Sequence, residues 1–460
     1  MPTFEETLDN ATAWDGETDK RVAHGILCQA IDRNGTPLLK HASGTTHITP
    51  SAPPITFDAT FLLASCTKLF TSICALQCVE RGQIGLDEPL DAHLPEICTQ
   101  PLIALEDPSI DTTLRRPSTT TATTTTAYSA AADPSTVKLS FKPRARPLTL
   151  RHLLTHASGL AHDLLHPTVA AWRAAHGRAD SWTGQNTDVV HDYSVPLVYE
   201  PGRGWSYGPS TDWAGKLVER LNSRRGGGDD GGGDGGQEGA TTTTTTTTTV
   251  NLEDYMRKNL FEPLGMRDST FLLGNRPDVE ARLMQTAEQG KGKGGEGLGE
   301  MAEAWMPREP KDCLGGSGLY TTVGDYLKVL EDLMQEQPKT LKKETVDLMF
   351  TPQLSEESRK SLRASMELMG VMIGGMVPEN VRLDHGLGGL LVVDDNPNTG
   401  MKGGTMTWAG HGNLLWFVNR KANDGKGVAA FFGTQVMPSA GEEISKLTKQ
   451  FIQEVWKRVE

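Results

Sequence analysis

No run of about 18 consecutive apolar residues occurs in the 460-residue chain, so no transmembrane helix is expected. Residues 1–10 hold neither a basic n-region nor an apolar h-region, so no secretory signal is expected. Cysteine is scarce: six residues, at 28, 66, 74, 78, 98 and 313, with no C-x-x-C pair. Without a secretory signal, that usage fits reduced thiols in the cytoplasm. Cys66, Cys74 and Cys78 fall near one face of a helix-like segment. No His, Asp or Glu is interleaved among them at ligand spacing, so they read as small core residues and no metal is expected. Positive charge is also short. Lys and Arg total 45 against 58 Asp and Glu, for a net charge of −13, which argues against a nucleic-acid partner. The glycine runs at 226–236 and 290–297 lack the strand–G-x-x-x-x-G-K–helix setting of a phosphate loop and read as loops.

What is present centres on Phe61-Leu-Leu-Ala-Ser-Cys-Thr-Lys-Leu-Phe70. Ser65 and Lys68 stand in an S-x-x-K arrangement at the start of an apolar, helix-like run. Three residues make nearly one helical turn, so both side chains project from one face. Serine is a poor nucleophile without a base in hydrogen-bond reach. A lysine one turn away, in a crowded site that disfavours its charge, can be that base. At a helix start, the Ser65 N–H is also one of the donors that can face an oxyanion.

The chain around this stretch reads as one α/β unit, 1–460, without a domain boundary. An N-terminal helix precedes strands at 25–31 and 37–41, joined by an Asn34-Gly35 hairpin signal. The nucleophile helix is expected from Ser65 to Glu80. A second helix is expected within 148–160, with Thr149 as N-cap and Gly159 near its stop. Helices follow up to Leu221, from Leu252 and from Val323 to Met334. Strands are then expected at 386–393, 406–408, 414–418 and 428–432, with a hairpin turn at Asn423-Asp-Gly425 and a helix at 440–458. Strands at both ends with helices between them imply one antiparallel sheet built from the two ends, flanked by helices, with an inserted helical subdomain. Threonine- and glycine-rich tracts at 106–146 and 223–250 cannot bury enough apolar surface to order themselves, and are expected as disordered inserts. They also dilute the apolar content to 37%. A shorter Gly/Lys/Glu loop is expected at 287–300.

Two further elements follow in order. Trp205-Ser-Tyr-Gly-Pro-Ser-Thr-Asp-Trp-Ala-Gly215 offers Tyr207 just before a helix. A phenol with pKa near 10 becomes a useful proton carrier only beside a cation such as Lys68. Met406-Thr-Trp-Ala-Gly-His-Gly-Asn-Leu-Leu-Trp-Phe-Val418 reads as a strand edge where small residues let backbone N–H groups approach a ligand. His152 and His156 are four apart on the expected helix but lack the Glu of H-E-x-x-H, and read as structural. His162 and His166 are candidates for a substrate channel, and Asp212 for an orienting residue at a helix start.

Together these elements resemble the serine β-lactamase/penicillin-binding superfamily in its class C-like, esterase-type branch. The chain is similar in particular to the fungal acyltransferases of the lovastatin and monacolin pathways. The resemblance rests on Leu63-Ala-Ser-Cys-Thr-Lys-Leu69, Leu148-Thr-Leu-Arg-His-Leu-Leu-Thr-His-Ala-Ser-Gly-Leu160, Tyr207-Gly208 and Asp212-Trp-Ala-Gly215. It continues through Glu262-Pro-Leu-Gly-Met266, Gly315-Gly-Ser-Gly-Leu319 and residues 402–418. It implies a β-lactamase/transpeptidase-like fold and a cofactor-independent transesterase. Such an enzyme moves a short acyl group from a thioester or ester, such as one held on a carrier protein or coenzyme A, to an alcohol of a secondary metabolite.

Residue by residue, the resemblance implies Ser65 as nucleophile, Lys68 as its base and Tyr207 as proton shuttle. Trp205, Trp408, Gly410 and His411 are implied as oxyanion and substrate contacts. Aligning Trp408-Ala-Gly410 with the K-T-G box puts the second oxyanion donor at His411, or at Gly412 after a one-residue slip. The box lacks its Lys and Thr, which weakens a β-lactamase reading. Ala409 and His411 interrupt a stretch that is glycine-rich in the lovastatin-type proteins. His411 can narrow the pocket, join the proton relay or lend only its backbone. The alternatives are a carboxylesterase with water as acceptor, a β-lactamase and an inactive binding protein.

Overall fold

The computed structural model describes residues 2–14, 16, 20–106, 138–179, 181, 187–223, 249–292, 297–301, 305–375 and 377–459. Seven strands form its main sheet: β1 (Gly25–Ile31), β2 (Pro37–Gly44), β3 (Leu383–His385), β4 (Leu390–Val392), β5 (Thr405–Gly410), β6 (Leu414–Asn419) and β7 (Val428–Gly433). Their spatial order is β2-β1-β7-β6-β5-β4-β3, and every neighbouring pair is antiparallel. The two ends of the chain meet where β1 pairs with β7, from Leu27 opposite Gly433 to Ile31 opposite Ala429.

Strands β5, β6 and β7 are buried along their whole length, because helices cover both faces of the sheet. Side chains alternate between faces along a strand, so adjacent Phe431 and Phe432 point opposite ways. Phe431 meets Tyr326 at 4.9 Å between ring centroids, and Phe432 meets Phe451 at 5.5 Å. The first partner lies on the helix Val323–Met334, which matches the expected bounds, and the second on the terminal helix Glu442–Val459. The terminal helix also stacks Trp456 on Phe417 and reaches back to α1 (Phe4–Thr12), with Phe4 packed on Phe451 and Arg458 paired to Glu5.

Residues between β2 and β3 supply the helical part. Its centre is α2 (Lys68–Glu80), preceded by a tighter 3₁₀ turn, Ala64–Thr67, where a regular helix start was expected. Lys68 through Cys78 are buried, so α2 runs through the core instead of along a surface. All six cysteines are buried and free. Among the described residues no helix is long and apolar enough to cross a membrane.

Several expected boundaries are corrected. The helix after Thr149, α3, ends at Leu154, not near Gly159. Thr155 turns its hydroxyl back to the Arg151 carbonyl, and His156 takes a left-handed φ of 56°, which no helix accommodates. The expected strand 386–393 begins only at Leu390, because the Gly386 N–H bonds the Gly389 carbonyl and closes a tight turn between β3 and β4.

The insert expected at 106–146 is drawn too wide. Residues 107–137 lie outside the described residues, but Leu139–Lys142 pair antiparallel with Leu102–Leu105. Glu200 then accepts the N–H groups of Ala145 and Arg146. Backbone pairing thus orders a tail whose composition alone suggested none. Of 223–250, residues 224–248 lie outside the described residues. The two flanks are joined, with the Val250 N–H on Ser223 Oγ at 3.0 Å and the Leu252 N–H on Glu219. The expected loop at 287–300 is instead framed by two short antiparallel strands, Ala287–Gln289 and Leu298–Glu300, with 293–296 outside the described residues.

Phe451 is fully buried and joins Phe4, Phe417 and Phe432. Phe451→Ala should therefore cost about 3–5 kcal/mol of unfolding free energy, read as a lower urea midpoint. A loss under about 1 kcal/mol would mean that the terminal helix is peripheral to the folded core.

Candidate active site

The approach to Ser65 is a strand, a sharp turn and a helix. Thr60–Leu62 pairs with Tyr320–Thr322, and the Leu63 N–H bonds the Leu319 carbonyl. Ala64 then takes a φ of 44°, uncommon for a residue with a Cβ, and the chain swings into the 3₁₀ turn. Strand β5 passes close behind. A Cβ at Gly410 would stand 2.4 Å from the Leu63 carbonyl oxygen, so only glycine lets the strand approach this near.

The turn and α2 bring Ser65 and Lys68 together as their spacing implied. Lys68 Nζ lies 3.3 Å from Ser65 Oγ and donates at 2.8 Å to the Gly316 carbonyl. Tyr207 arrives from the loop before α4 (Ser210–Asn222), and its hydroxyl is hydrogen-bonded to Ser65 Oγ. Lys68 Nζ also sits 4.7 Å from the centre of the Tyr207 ring. The Ser65 hydroxyl thus has a phenol on one side and an amine on the other, each in reach of one proton transfer.

Around Tyr207 lies a set of flat rings. His156 is 4.9 Å away, Trp408 5.5 Å and His162 5.6 Å between centroids. His385 packs on His156 and Trp408, and Trp205 on His156. Trp205 and Trp408, singled out in the sequence, therefore belong to this wall through ring contacts. His156 and His385 were missed as site residues. His156 was placed on a helix, and its left-handed backbone is what turns it inward. His385 has no signal beyond standing next to the Gly386-Leu-Gly-Gly run. Burial holds the His385 imidazole down to about 4 and His156 well below the usual range, with the Lys68 charge adding to the effect at His156. His162 is pushed down to about 3 by burial and by Lys68. The wall is thus uncharged at neutral pH.

At the other side, the His411 Nδ1 lies 2.7 Å from Ser439 Oγ and its ring tilts against Trp305 at 5.4 Å. The Gly412 N–H donates to the same Ser439 Oγ at 3.1 Å, so it is already engaged. His152, with its Nδ1 on Thr149 Oγ1, stays on α3 while His156 leaves it. Among the described residues no group of three or more His, Cys, Asp or Glu is arranged to hold a metal ion. Asp212 is buried in the first turn of α4 and bonds the backbone of Gly316.

Comparison with known proteins gives consistent matches over nearly the whole chain. A family model described as Beta-lactamase matches residues 30–451. The Acyltransferase calJ of Penicillium decumbens is 32% identical, covering 99% of this chain and 98% of that protein. The Lovastatin esterase of Penicillium rubens is 31% identical over 97% of this chain and 98% of its own. The solved structure of unliganded Simvastatin Synthase (LovD) from Aspergillus terreus superposes with a TM-score of 0.72 at 28% identity. It covers 98% of this chain and 97% of that one.

The uncharged rings make stability depend on acidity. His156 and His385 stay neutral when folded, but take a proton near pH 6.5 once unfolded. The unfolded chain binds more protons below that value, so stability falls as pH drops from about 6.5 toward 4. The slope is roughly 1.4 kcal/mol per pH unit for each histidine. Urea midpoints should decline between pH 7 and pH 5, and less steeply in His385→Asn. A flat profile would contradict buried neutral imidazoles.

Proposed function

The chain belongs to the beta-lactamase family, and from that premise we propose that it is a serine acyltransferase. It moves a short acyl group from a thioester or ester to an alcohol of a secondary metabolite. The observation that carries this reading is Ser65 Oγ held between Tyr207 and Lys68. Likeness to an acyltransferase and to a simvastatin synthase supports the acyl-transfer chemistry.

In the first half-reaction Ser65 Oγ attacks the acyl carbonyl and its proton passes to Lys68 Nζ. The negative oxygen of the tetrahedral intermediate is taken by the N–H groups of Ser65 and His411. The engagement of the Gly412 N–H by Ser439 favours position 411. The bond to the leaving sulfur or oxygen then breaks, and the proton on Lys68 reaches the leaving atom by way of the Tyr207 hydroxyl. In the second half-reaction the acceptor alcohol attacks the Ser65 ester, and its proton passes by way of the Tyr207 hydroxyl to Lys68. The bond to Ser65 Oγ breaks, and Oγ recovers a proton from Lys68. No cofactor takes part in any step. Trp205, Trp408 and Gly410 shape the acyl and acceptor pockets.

The donor is a thioester or an ester, the thioester being held on coenzyme A or on a carrier protein. The enzyme works in the cytoplasm, consistent with six buried free cysteines. The whole chain acts as one catalytic unit, because the strands of its two ends share one sheet.

A second reading, hydrolysis with water as acceptor, is favoured by the likeness to Lovastatin esterase. Water exclusion and acceptor fit around the same serine separate the two. A β-lactamase reading predicts turnover of nitrocefin, and the missing Lys and Thr at Trp408-Ala-Gly410 argue against it.

Intact mass after mixing with a short-chain acyl thioester, without an alcohol, tests the proposal. A transferase gains the acyl mass and keeps it, and Ser65→Ala shows no gain. Rapid decay with free acid accumulating would indicate the esterase. No adduct and no acid from any thioester or ester would leave a binding protein. Lys68→Ala and Tyr207→Phe should each slow acylation by about 10²–10⁴-fold.

A further inference from the structure

Gly316 separates two buried ionisable side chains. Its carbonyl accepts Lys68 Nζ at 2.8 Å, and its N–H donates to Asp212 Oδ1 at 2.9 Å. Asp212 is 5% exposed and lies in the first turn of α4, on the side facing α2. A Cβ at residue 316 would stand 2.5 Å from Asp212 Oδ2, so the carboxylate packs directly on the glycine backbone. Next door, Thr71 Oγ1 of α2 holds the Gly315 carbonyl at 2.7 Å. The Gly315-Gly316 segment is thus clamped between two helices, with the Asp212 carboxyl on one side and the Lys68 amine on the other.

A buried carboxylate is costly unless an opposite charge is near. The groups facing Lys68 are Ser65, Tyr207, His156, His162, Cys66 and Asp212. The histidines and the cysteine are neutral, so Asp212 is the carboxylate of that set. Facing Asp212 itself are Lys68 and, from the helix Val189–Tyr193, the phenol of Tyr193.

We propose that Asp212 is a positioning residue for acylation. Its carboxylate fixes Gly316, hence the carbonyl that aims Lys68, and balances the positive charge when Lys68 takes the Ser65 proton. The inference rests on the acyl-transfer reading, since it assigns a role within that step. The serine proton moves to Lys68, and no bond to Asp212 forms or breaks; burial raises the Asp212 carboxyl above the usual carboxylate range and the Lys68 charge opposes that rise.

Asp212→Asn keeps an oxygen for the Gly316 N–H and removes the charge. The rate of Ser65 acylation should fall on the order of tenfold at its plateau. The acid limb of its pH profile should move to lower pH, because the protonated amine has lost its counter-charge. A purely structural aspartate would leave that limb in place, and an unmoved limb with an unchanged plateau overturns the proposal.

Lys68→Met supplies the reciprocal measurement, without catalysis and without altering Asp212. Carbon-13 NMR of the Asp212 carboxyl should show it titrating at higher pH than in the wild type, because the amine that favours the carboxylate is gone. An unshifted carboxyl titration overturns the proposal. If Ser65→Ala acylates as fast as the wild type, the acyl-transfer reading fails, and the carboxyl titration still decides whether Asp212 and Lys68 are coupled.

Discussion

Burying an amine beside a serine is expensive, because an ammonium loses its water shell without gaining a full replacement. The structure spends several separate elements on that one contact. The Gly316 carbonyl accepts from Lys68, the Tyr207 ring offers its electron-rich face, and Asp212 stands beyond the glycine. The Gly315-Gly316 segment, the loop before α4 and α4 itself each contribute one of these partners. Moving any of them would take a partner from the buried amine, so the helical part is tied together around Ser65 and Lys68 as much as around its apolar core.

The sheet is the other half of the arrangement. Gly410 at the end of β5 touches the turn at Leu63, so Ser65 is wedged between a strand from the end of the chain and a helix from its beginning. The register of β5 against β6, Trp408 opposite Trp416, decides which side chains face the site. A one-residue slip would turn Trp408 away from Tyr207 and bring in a neighbour.

Much of this was legible in the sequence, for definable reasons. Spacing of three residues on a helix is a local property, so Ser65 and Lys68 could be paired without knowing the fold. The helix Val323–Met334 and the strands 414–418 and 428–432 carry strong periodicity or long apolar runs, and these override context. Tyr207, Trp205 and Trp408 came from resemblance, since nothing local says that residues more than a hundred apart meet one serine. The inward turn of His156 was hidden, because a left-handed φ at a histidine has no pattern in composition. His385 and the Asp212–Gly316–Lys68 connection were hidden for a different reason. They exist only through packing between distant segments. The strand Leu139–Lys142 was lost in a tract whose composition suggests disorder, because its order comes from a partner strand and not from burial of its own side chains.

The pairing of β1 with β7 also sets a clock for synthesis. Strand β1 ends at Ile31 and its partner begins at Val428, about 400 residues later. At roughly 5–20 residues per second, β1 waits on the order of 20–80 s for its neighbour to leave the ribosome. During that interval the Ser65 turn exists without the strand that backs it at Gly410. The nascent chain therefore carries Ser65 long before it can hold it in place. The surroundings of Ser65 are complete only when the final strands close the sheet.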